Sequence, residues 1–376
     1  MGRRTVAVVV ALWVVSISVV VDRIVPDPYM DEIFHIPQAQ RYCGGDFRSW
    51  DPMITTPPGL CSFNNCSFGY VSGQSEGAPL DQFFIVDLFV VQLGALAVFI
   101  RQTNVIWILF IAANAAIDLV EVISLKEHAQ SGLVDEFRAI ILKMWRFKWR
   151  LLISFFPFIL VLAGFMTFVF WNGSIVLGAK QDHVASPHFA QMMYFGLISA
   201  AATAPLHFSS TQFTYLLEPF WNKRMAGILQ WLAALVAGFV SVHWFSIAHP
   251  YLLADNRHYT FYFWRKIIQA HWASKYLMIP LCVYGWFSMG RRSRGRIWAL
   301  SFFLACSAAL VPAPLVEFRY YTVPIILFLL NSHIHGQVSW ALTSAVFLAA
   351  DVFTMSMFLL RPFQWAHEPG IQRFIW

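Results

Sequence analysis

Residues 151–170 read LLISFFPFILVLAGFMTFVF, twenty positions without a charged side chain. A helix of that length rises about 30 Å, the thickness of a bilayer's hydrocarbon core. For this part of the chain the solvent is therefore lipid. Similar runs occupy residues 5–21, 228–248 and 338–360, and two more, 83–100 and 103–122, meet at the tetrapeptide RQTN that begins with Arg101. Counted by the same length rule, the chain offers roughly nine candidate spans. Composition agrees, with 58% hydrophobic and 12% charged residues, about half the charged share of an ordinary soluble domain. The expected fold is all-α, a polytopic membrane protein forming one multispanning domain over residues 1–376.

The formal net charge of +6 does not point to nucleic acid, because the basic residues sit in short clusters at span ends. These are Arg3 and Arg4, residues 143–150, Lys223 with Arg224, and residues 291–296. The excess of Lys and Arg on cytosolic loops explains that pattern. The N-terminus lacks a small-residue cleavage site, so it reads as an uncleaved anchor starting in the cytosol. The polar segment at about 23–82 then lies on the far, lumenal side. Alternation from the other clusters places residues 171–188, 249–262 and 312–321 on that side too. One conflict remains. Residues 126–150 are basic and belong in the cytosol, yet two spans separate them from the first loop, where an odd number is needed. Either one of the two does not cross or a span is missing. Asp87, Asp118 and Glu121 within these spans are expected to face a bundle or cavity, since carboxylates in lipid are costly.

The first loop carries the richest chemistry: residues 26–60 are PDPYMDEIFHIPQAQRYCGGDFRSWDPMITTPPGL. Asp31 and Glu32 are adjacent carboxylates, a pair in which one can be positioned for general-base work on a hydroxyl. A solvated acidic pair at a span end is the alternative. Six prolines stiffen the loop, and Tyr29, Phe34, Tyr42, Phe47 and Trp50 supply packing. His35 is a candidate to orient an acceptor or bind phosphate, and Trp50 to stack on a sugar ring, with plain packing as the competing role for each. Further on, Asp255, Arg257 and His258 stand within DNRHY, a set suited to a phosphate or hydroxyl-rich ligand, because Arg matches phosphate oxygens bidentately. Arg265 and Lys266 read instead as interfacial side chains. Glu317 and Arg319 can pair with each other. Arg101 reads as a structural cap in preference to a ligand contact.

No metal site is expected from the five cysteines, which show no ligand spacing. Cys43, Cys61 and Cys66 belong to or follow the first loop, where a disulfide and free thiols are equally good readings. Two glycosylation sequons begin at Asn65 and Asn172, both on the expected lumenal side.

Several stretches together resemble one known family: PYMDEIFHIPQAQRYC (28–43), WDPMITTPPGL (50–60), RQTNVIW (101–107), WNGSIVLG (171–178), HPYLLADNRHYTFYFWRK (249–266), EFRYYTVP (317–324), RPFQW (361–365) and QRFIW (372–376). They are similar, in order, to the eukaryotic dolichyl-phosphate-glucose-dependent α-1,2-glucosyltransferases of the endoplasmic reticulum. The resemblance implies a GT-C-type glycosyltransferase helical bundle with a lumenal active site, working in the assembly of the N-glycan precursor. Its partners would be a dolichyl phosphate glucose donor, a diglucosylated dolichol-linked oligosaccharide acceptor and the lipid bilayer. Transfer from a β-linked donor to an α product is an inversion. It implies Asp31 as base, with Glu32 next, and Arg257 and Arg319 as phosphate ligands. His35, Trp50, Asp255 and His258 are the remaining candidates for substrate contact. No cofactor and no metal are expected, because the lipid carries its own leaving group. The chain departs from the family after TTPPGL, where further spans are expected and a polar, Gly/Ser-rich stretch stands instead. Competing readings are a dolichyl-phosphate-mannose-dependent mannosyltransferase and a non-catalytic membrane protein.

Overall fold

The computed structural model describes residues 3–58, 81–123, 132–178, 180–181, 184–332, 336–366 and 368–375. The described residues are predominantly helical. The first helices are α1 (Arg3–Ile24), α2 (Glu32–Cys43), α3 (Asp81–Ile100), α4 (Asn104–Ile123), α5 (Leu133–Arg146) and α6 (Lys148–Asn172). They are followed by α7 (Ala190–Ala202), α8 (Ala204–His207), α9 (Ser210–Trp221), α10 (Met225–Trp244), α11 (Pro250–Ala254) and α12 (Tyr259–Phe263). A π-helical turn, Trp264–Ile268, leads to α13 (Ser274–Leu277), α14 (Ile279–Arg292), α15 (Arg296–Leu310), α16 (Arg319–Leu330) and α17 (Gln337–Leu360). The one departure from an all-α chain is a short antiparallel hairpin, β1 (Phe363–Trp365) with β2 (Glu368–Gln372).

Among the described residues, α4, α6, α10 and α17 are long and apolar enough to cross a membrane. Residues 91–100 of α3, together with α7, α15 and α16, are shorter apolar helices, and α1 is a further helix of 22 residues. The roughly nine expected spans thus become a mixture of full-length and shortened helices. Helix α7 ends at Ala202, and Pro205 stands in the first turn of α8, where its missing N–H costs no intrahelical bond. Helix α15 ends at Leu310, two residues before Pro312. The outward faces match lipid: Ile153, Phe156 and Leu160 of α6 and Val352 and Phe353 of α17 are exposed.

Helix α7 is the axis of the bundle. Its Met192 and Phe195 pack with Trp107, Phe110, Trp298, Phe302 and Tyr321 from α4, α15 and α16. Its Ala190 and Tyr194 pack with Trp231, Val283 and Tyr284 from α10 and α14. Helices α7 and α14 approach closely because glycine faces glycine: a Cβ added to Gly285 would collide with the carbonyl oxygen of Gly196, and one added to Gly196 would lie 2.5 Å from Cδ1 of Trp286. Small residues are what permit such contact between helices in lipid. Gly285→Ala is expected to destabilise the protein by about 1–3 kcal/mol through overpacking, read as a lower unfolding midpoint in detergent; an unchanged midpoint would show that α7 and α14 separate without cost.

Contacts divide the molecule into two ends. At one, Arg294 pairs with Asp118, and Ser293 bridges to Ser332. This end therefore holds the basic cluster at 291–296 and the C-terminus of α4, with its carboxylate. At the other end the amide of Gln102 donates to the carbonyl of Thr55 (2.7 Å) and the Leu177 N–H to the same oxygen (3.2 Å). There too the Ser186 N–H donates to Pro312 O (3.1 Å), and the Tyr259 N–H to Ile375 O (3.3 Å). The polar segments expected to share one side do share one end. Helix α4 runs from that end to the basic end, and α5, with the basic residues of its last turn, packs against α15 beside the other basic cluster. Helices α3 and α4 form a tight hairpin, with the Ile108 side chain against Gly94, so α3 runs toward the loop end. The parity conflict is thereby confined to the connection between Pro58 and Asp81. Residues 59–80, with Asn65, Cys61 and Cys66, lie outside the described residues.

Candidate active site

The first loop is not loop throughout: α2 begins at Glu32. The turn before it is unusual, because Met30 has φ +56°, a left-handed conformation that costs a non-glycine residue roughly 1–2 kcal/mol. That turn separates the two adjacent carboxylates. Glu32 folds back, and its Oε2 accepts the Tyr29 N–H (3.1 Å). Asp31 occupies the N-cap position of α2 without a side-chain cap hydrogen bond. It is exposed, and among the described residues its carboxylate has no hydrogen-bond or ion-pair partner.

Helix α2 then anchors the rest of the loop. Gln38 is fully buried; its Nε2 donates to Ser49 O (2.8 Å) and its Oε1 accepts the Asp51 N–H (3.0 Å). Buried Ala39 and Ile54 pack with Phe34, Tyr42 and Trp50. Trp50 is thus half-buried in the loop's own small core, although its indole N–H is buried without a partner. His35 lies one turn along α2, its backbone N–H donating to Asp31 O (3.1 Å). Gly178 allows the next segment to lie directly on this loop, since a Cβ there would collide with the carbonyl of Pro52. Asn172 is also engaged: its side-chain N–H groups donate to Ser174 O (2.8 Å) and Val176 O (2.7 Å).

DNRHY forms a second centre, between α11 and α12. The Arg257 Nε donates to both oxygens of Asp255 (2.9 and 3.1 Å), and Nη2 to Oδ2 (2.8 Å). Its Nη1 donates to Oε1 of Gln372 (3.0 Å), and its guanidinium lies 4.8 Å from the Trp365 ring centroid. Burial pushes the Asp255 carboxyl up, but its bonds to Arg257 outweigh that and hold it below the usual range. Asp255 in turn raises Arg257, with a further contribution from Tyr29. Arg257, a phosphate ligand in the sequence reading, is first of all the partner of Asp255, and three of its five N–H groups are in use.

His258 connects this pair to EFRYY. Its Nε2 is 3.6 Å from Asp255 Oδ2 and its Nδ1 3.9 Å from Glu317 Oε1. Glu317 is buried and accepts a 2.5 Å bond from the Arg319 Nε. Arg319 is 43% exposed against 19% for Arg257, so of the two expected phosphate ligands it is the more available. The structure therefore gathers Asp255, Arg257, His258 and Arg319 into one chain of charge, with Glu317 as its buried hinge.

Tyr29 joins this cluster to the first loop. Its hydroxyl donates to Arg373 O (3.2 Å) and accepts the Arg373 N–H (2.8 Å). The C-terminal hairpin is the fastener: the Ile375 N–H donates to Arg257 O (2.9 Å), and Trp365 Nε1 to Asn256 Oδ1 (2.8 Å). Tyr29, Trp365, Gln372 and Arg373 were not among the sequence candidates. They act through contacts more than a hundred positions apart, for which no local pattern exists. A groove of about 300 Å³ lined by Tyr215, Glu218, Trp231 and Phe287 lies at the basic end, away from every candidate residue. The polar cluster, not that groove, gathers the carboxylates, guanidinium groups and imidazole of the sequence candidates.

The DIE2/ALG10 family model matches residues 25–78 and 70–330. An Arabidopsis thaliana protein named Dol-P-Glc:Glc(2)Man(9)GlcNAc(2)-PP-Dol alpha-1,2-glucosyltransferase is 40% identical over 509 aligned positions, covering 100% of both chains. Proteins of the same name from Homo sapiens (30% identical, 94% of each chain) and Drosophila melanogaster (29% identical, 93% of this chain and 94% of the relative) are similar as well. No solved structure matches. The Arabidopsis alignment is longer than the 376 residues here, so the relative carries residues this chain lacks. The family match also falls into two pieces that meet at residues 70–78, inside the connection that holds the parity conflict. With the family model covering most of its length and a 40% identical relative aligned along all of it, the chain belongs to the DIE2/ALG10 family.

Proposed function

We propose that this protein transfers glucose from dolichyl phosphate glucose to the dolichol-linked Glc2Man9GlcNAc2 oligosaccharide in α-1,2 linkage. It does so from the membrane of the endoplasmic reticulum, with its site toward the lumen. The observation that carries the reading is the whole-chain similarity to the Arabidopsis glucosyltransferase, and the open carboxylate of Asp31, on the loop that Tyr29 ties to the C-terminal segment holding Arg257, suits that reaction. The carboxylate takes the proton of the acceptor's 2-hydroxyl as that oxygen attacks C1 of the donor glucose. The bond between C1 and the phosphate oxygen breaks, and its electron pair leaves with the lipid monophosphate. Attack from the face opposite the phosphate inverts the β-linked donor to an α product. Arg319 is placed to receive charge developing on the phosphate, where a guanidinium acts as a preorganised electrostatic stabiliser. Glu32 positions Asp31 by holding the turn. The lumenal assignment rests on the basic clusters at the opposite end and the positive-inside rule.

Expression in cells lacking the terminal glucosyltransferase tests this. The expected result is conversion of the diglucosylated lipid-linked oligosaccharide to the triglucosylated form. Persistence of the diglucosylated form, with the protein at normal level, would overturn the proposal.

A further inference from the structure

The turn between α3 and α4 carries a cation outside the cluster described above. Arg101 is half-buried, and among the described residues its guanidinium makes no hydrogen bond and no ion pair. Its contact is with an aromatic face, the guanidinium carbon lying 4.9 Å from the ring centroid of Tyr320. The guanidinium of Arg319 approaches the same ring, at 5.9 Å. Two cations thus meet at one phenol, and only Arg319 has a carboxylate, Glu317. The backbone under Arg101 is fixed. Its N–H donates to Ala97 O (2.9 Å), the Asn104 side chain donates to the same oxygen (2.8 Å), and Arg101 O accepts the Asn104 N–H (3.0 Å). The neighbouring Gln102 is buried and holds Thr55 of the first loop (2.7 Å). The next loop residue, Thr56, has a buried hydroxyl with no partner.

A structural cap would direct guanidinium N–H groups at helix-end carbonyls, and none is so directed among the described residues. The cation–π contact with Tyr320 engages none of the guanidinium N–H donors in a hydrogen bond. A half-buried cation whose N–H donors are unused among the described residues is matched by an anion whose oxygens accept in pairs. We propose that Arg101 and Arg319, arranged about Tyr320, form a two-guanidinium clamp for the phosphate of a lipid-linked substrate. The proposal rests on the glycosyl-transfer reading above and adds Arg101 to the substrate site. The shared chemistry is a lipid phosphate, with the donor's monophosphate and the acceptor's diphosphate as its two sources.

The test is direct binding of two probes to the full chain in nanodiscs, a short polyprenyl monophosphate and a short polyprenyl diphosphate. Arg101→Gln is expected to weaken one of them by about tenfold or more, with an unchanged unfolding midpoint. Arg101→Lys, which keeps the charge and loses the fork, is expected to fall between. Loss confined to the monophosphate assigns the clamp to the donor, and loss confined to the diphosphate assigns it to the acceptor. If Arg101→Gln fails to fold, Arg101→Lys decides, and wild-type affinity of the folded lysine variant for both probes overturns the clamp. A wild-type protein that binds neither probe also overturns it. Failure of the parent reading looks different: a wild type that binds a probe yet transfers no glucose sinks the glucosyltransferase and leaves the clamp. Glucose transfer by the wild type, with unaltered binding in both variants, does the reverse.

Discussion

Asp31→Asn is expected to lower the rate of glucose transfer by about 100-fold or more, with protein level and donor binding unchanged. A general base contributes on the order of 10²–10⁴ to a rate, and the amide is nearly isosteric but takes no proton. Asp31 is the candidate because of its situation rather than its identity. Glu32, its neighbour, already accepts the Tyr29 N–H, and a glutamine there retains an accepting oxygen. Glu32→Gln is therefore expected to cost far less. The pair of variants separates base from anchor: the decisive measurement is kcat for each with purified protein and saturating donor. A glutamine variant that loses more than the asparagine variant would exchange the two roles. Equal small losses would remove both from proton transfer.

The division between Asp31 and Glu32 also shows where sequence reading stops. Two adjacent acids in a proline-stiffened loop were visible as chemistry. Which acid is tied follows from the turn over residues 29–32, where Glu32 accepts the Tyr29 N–H, and nothing about Met30 announces its positive φ. Helix α6 was legible almost to its ends, because twenty uncharged residues in lipid have one solution for their backbone polar groups. The sharing of one end by the first loop, DNRHY and EFRYY was legible from the basic clusters, since the cost of crossing charges acts on every span at once. Helix α2 was not: its anchors, Gln38 with Ser49 and Asp51, are side-chain bonds to backbone within a segment of mixed character. Arg257 was recognised and its first partner was not, although Asp255 stands two residues away. A carboxylate and a guanidinium at that spacing pair only when the backbone turns between them. Gln372 and Trp365, its other partners, come from a hairpin brought in by tertiary contact alone.

The pairing of Asp255 with Arg257 supports the second large prediction. Both side chains are 19% exposed, so removal of one leaves the other charge largely out of water. Asp255→Ala is expected to destabilise the protein by roughly 3 kcal/mol, the low end of the cost of breaking a buried pair. Transfer should fall with it, because Arg257 O holds the C-terminal segment that fastens Tyr29. The pH dependence follows from the direction of the shift. A carboxyl held below its unfolded value contributes stability above that value and loses it as pH falls through the depressed one. The wild type should therefore show no loss from this pair near neutrality and should lose the contribution only in acid, below the ordinary carboxylate range. In Asp255→Ala that acid-sensitive component should be absent. The double variant with Arg257→Ala completes a cycle. If an uncompensated cation is the cause, removing it should return part of the lost unfolding midpoint, leaving the double variant more stable than Asp255→Ala alone. A double variant that is less stable, with losses that simply add, would mean that the two side chains contribute separately and that the pair does not organise this end of the protein.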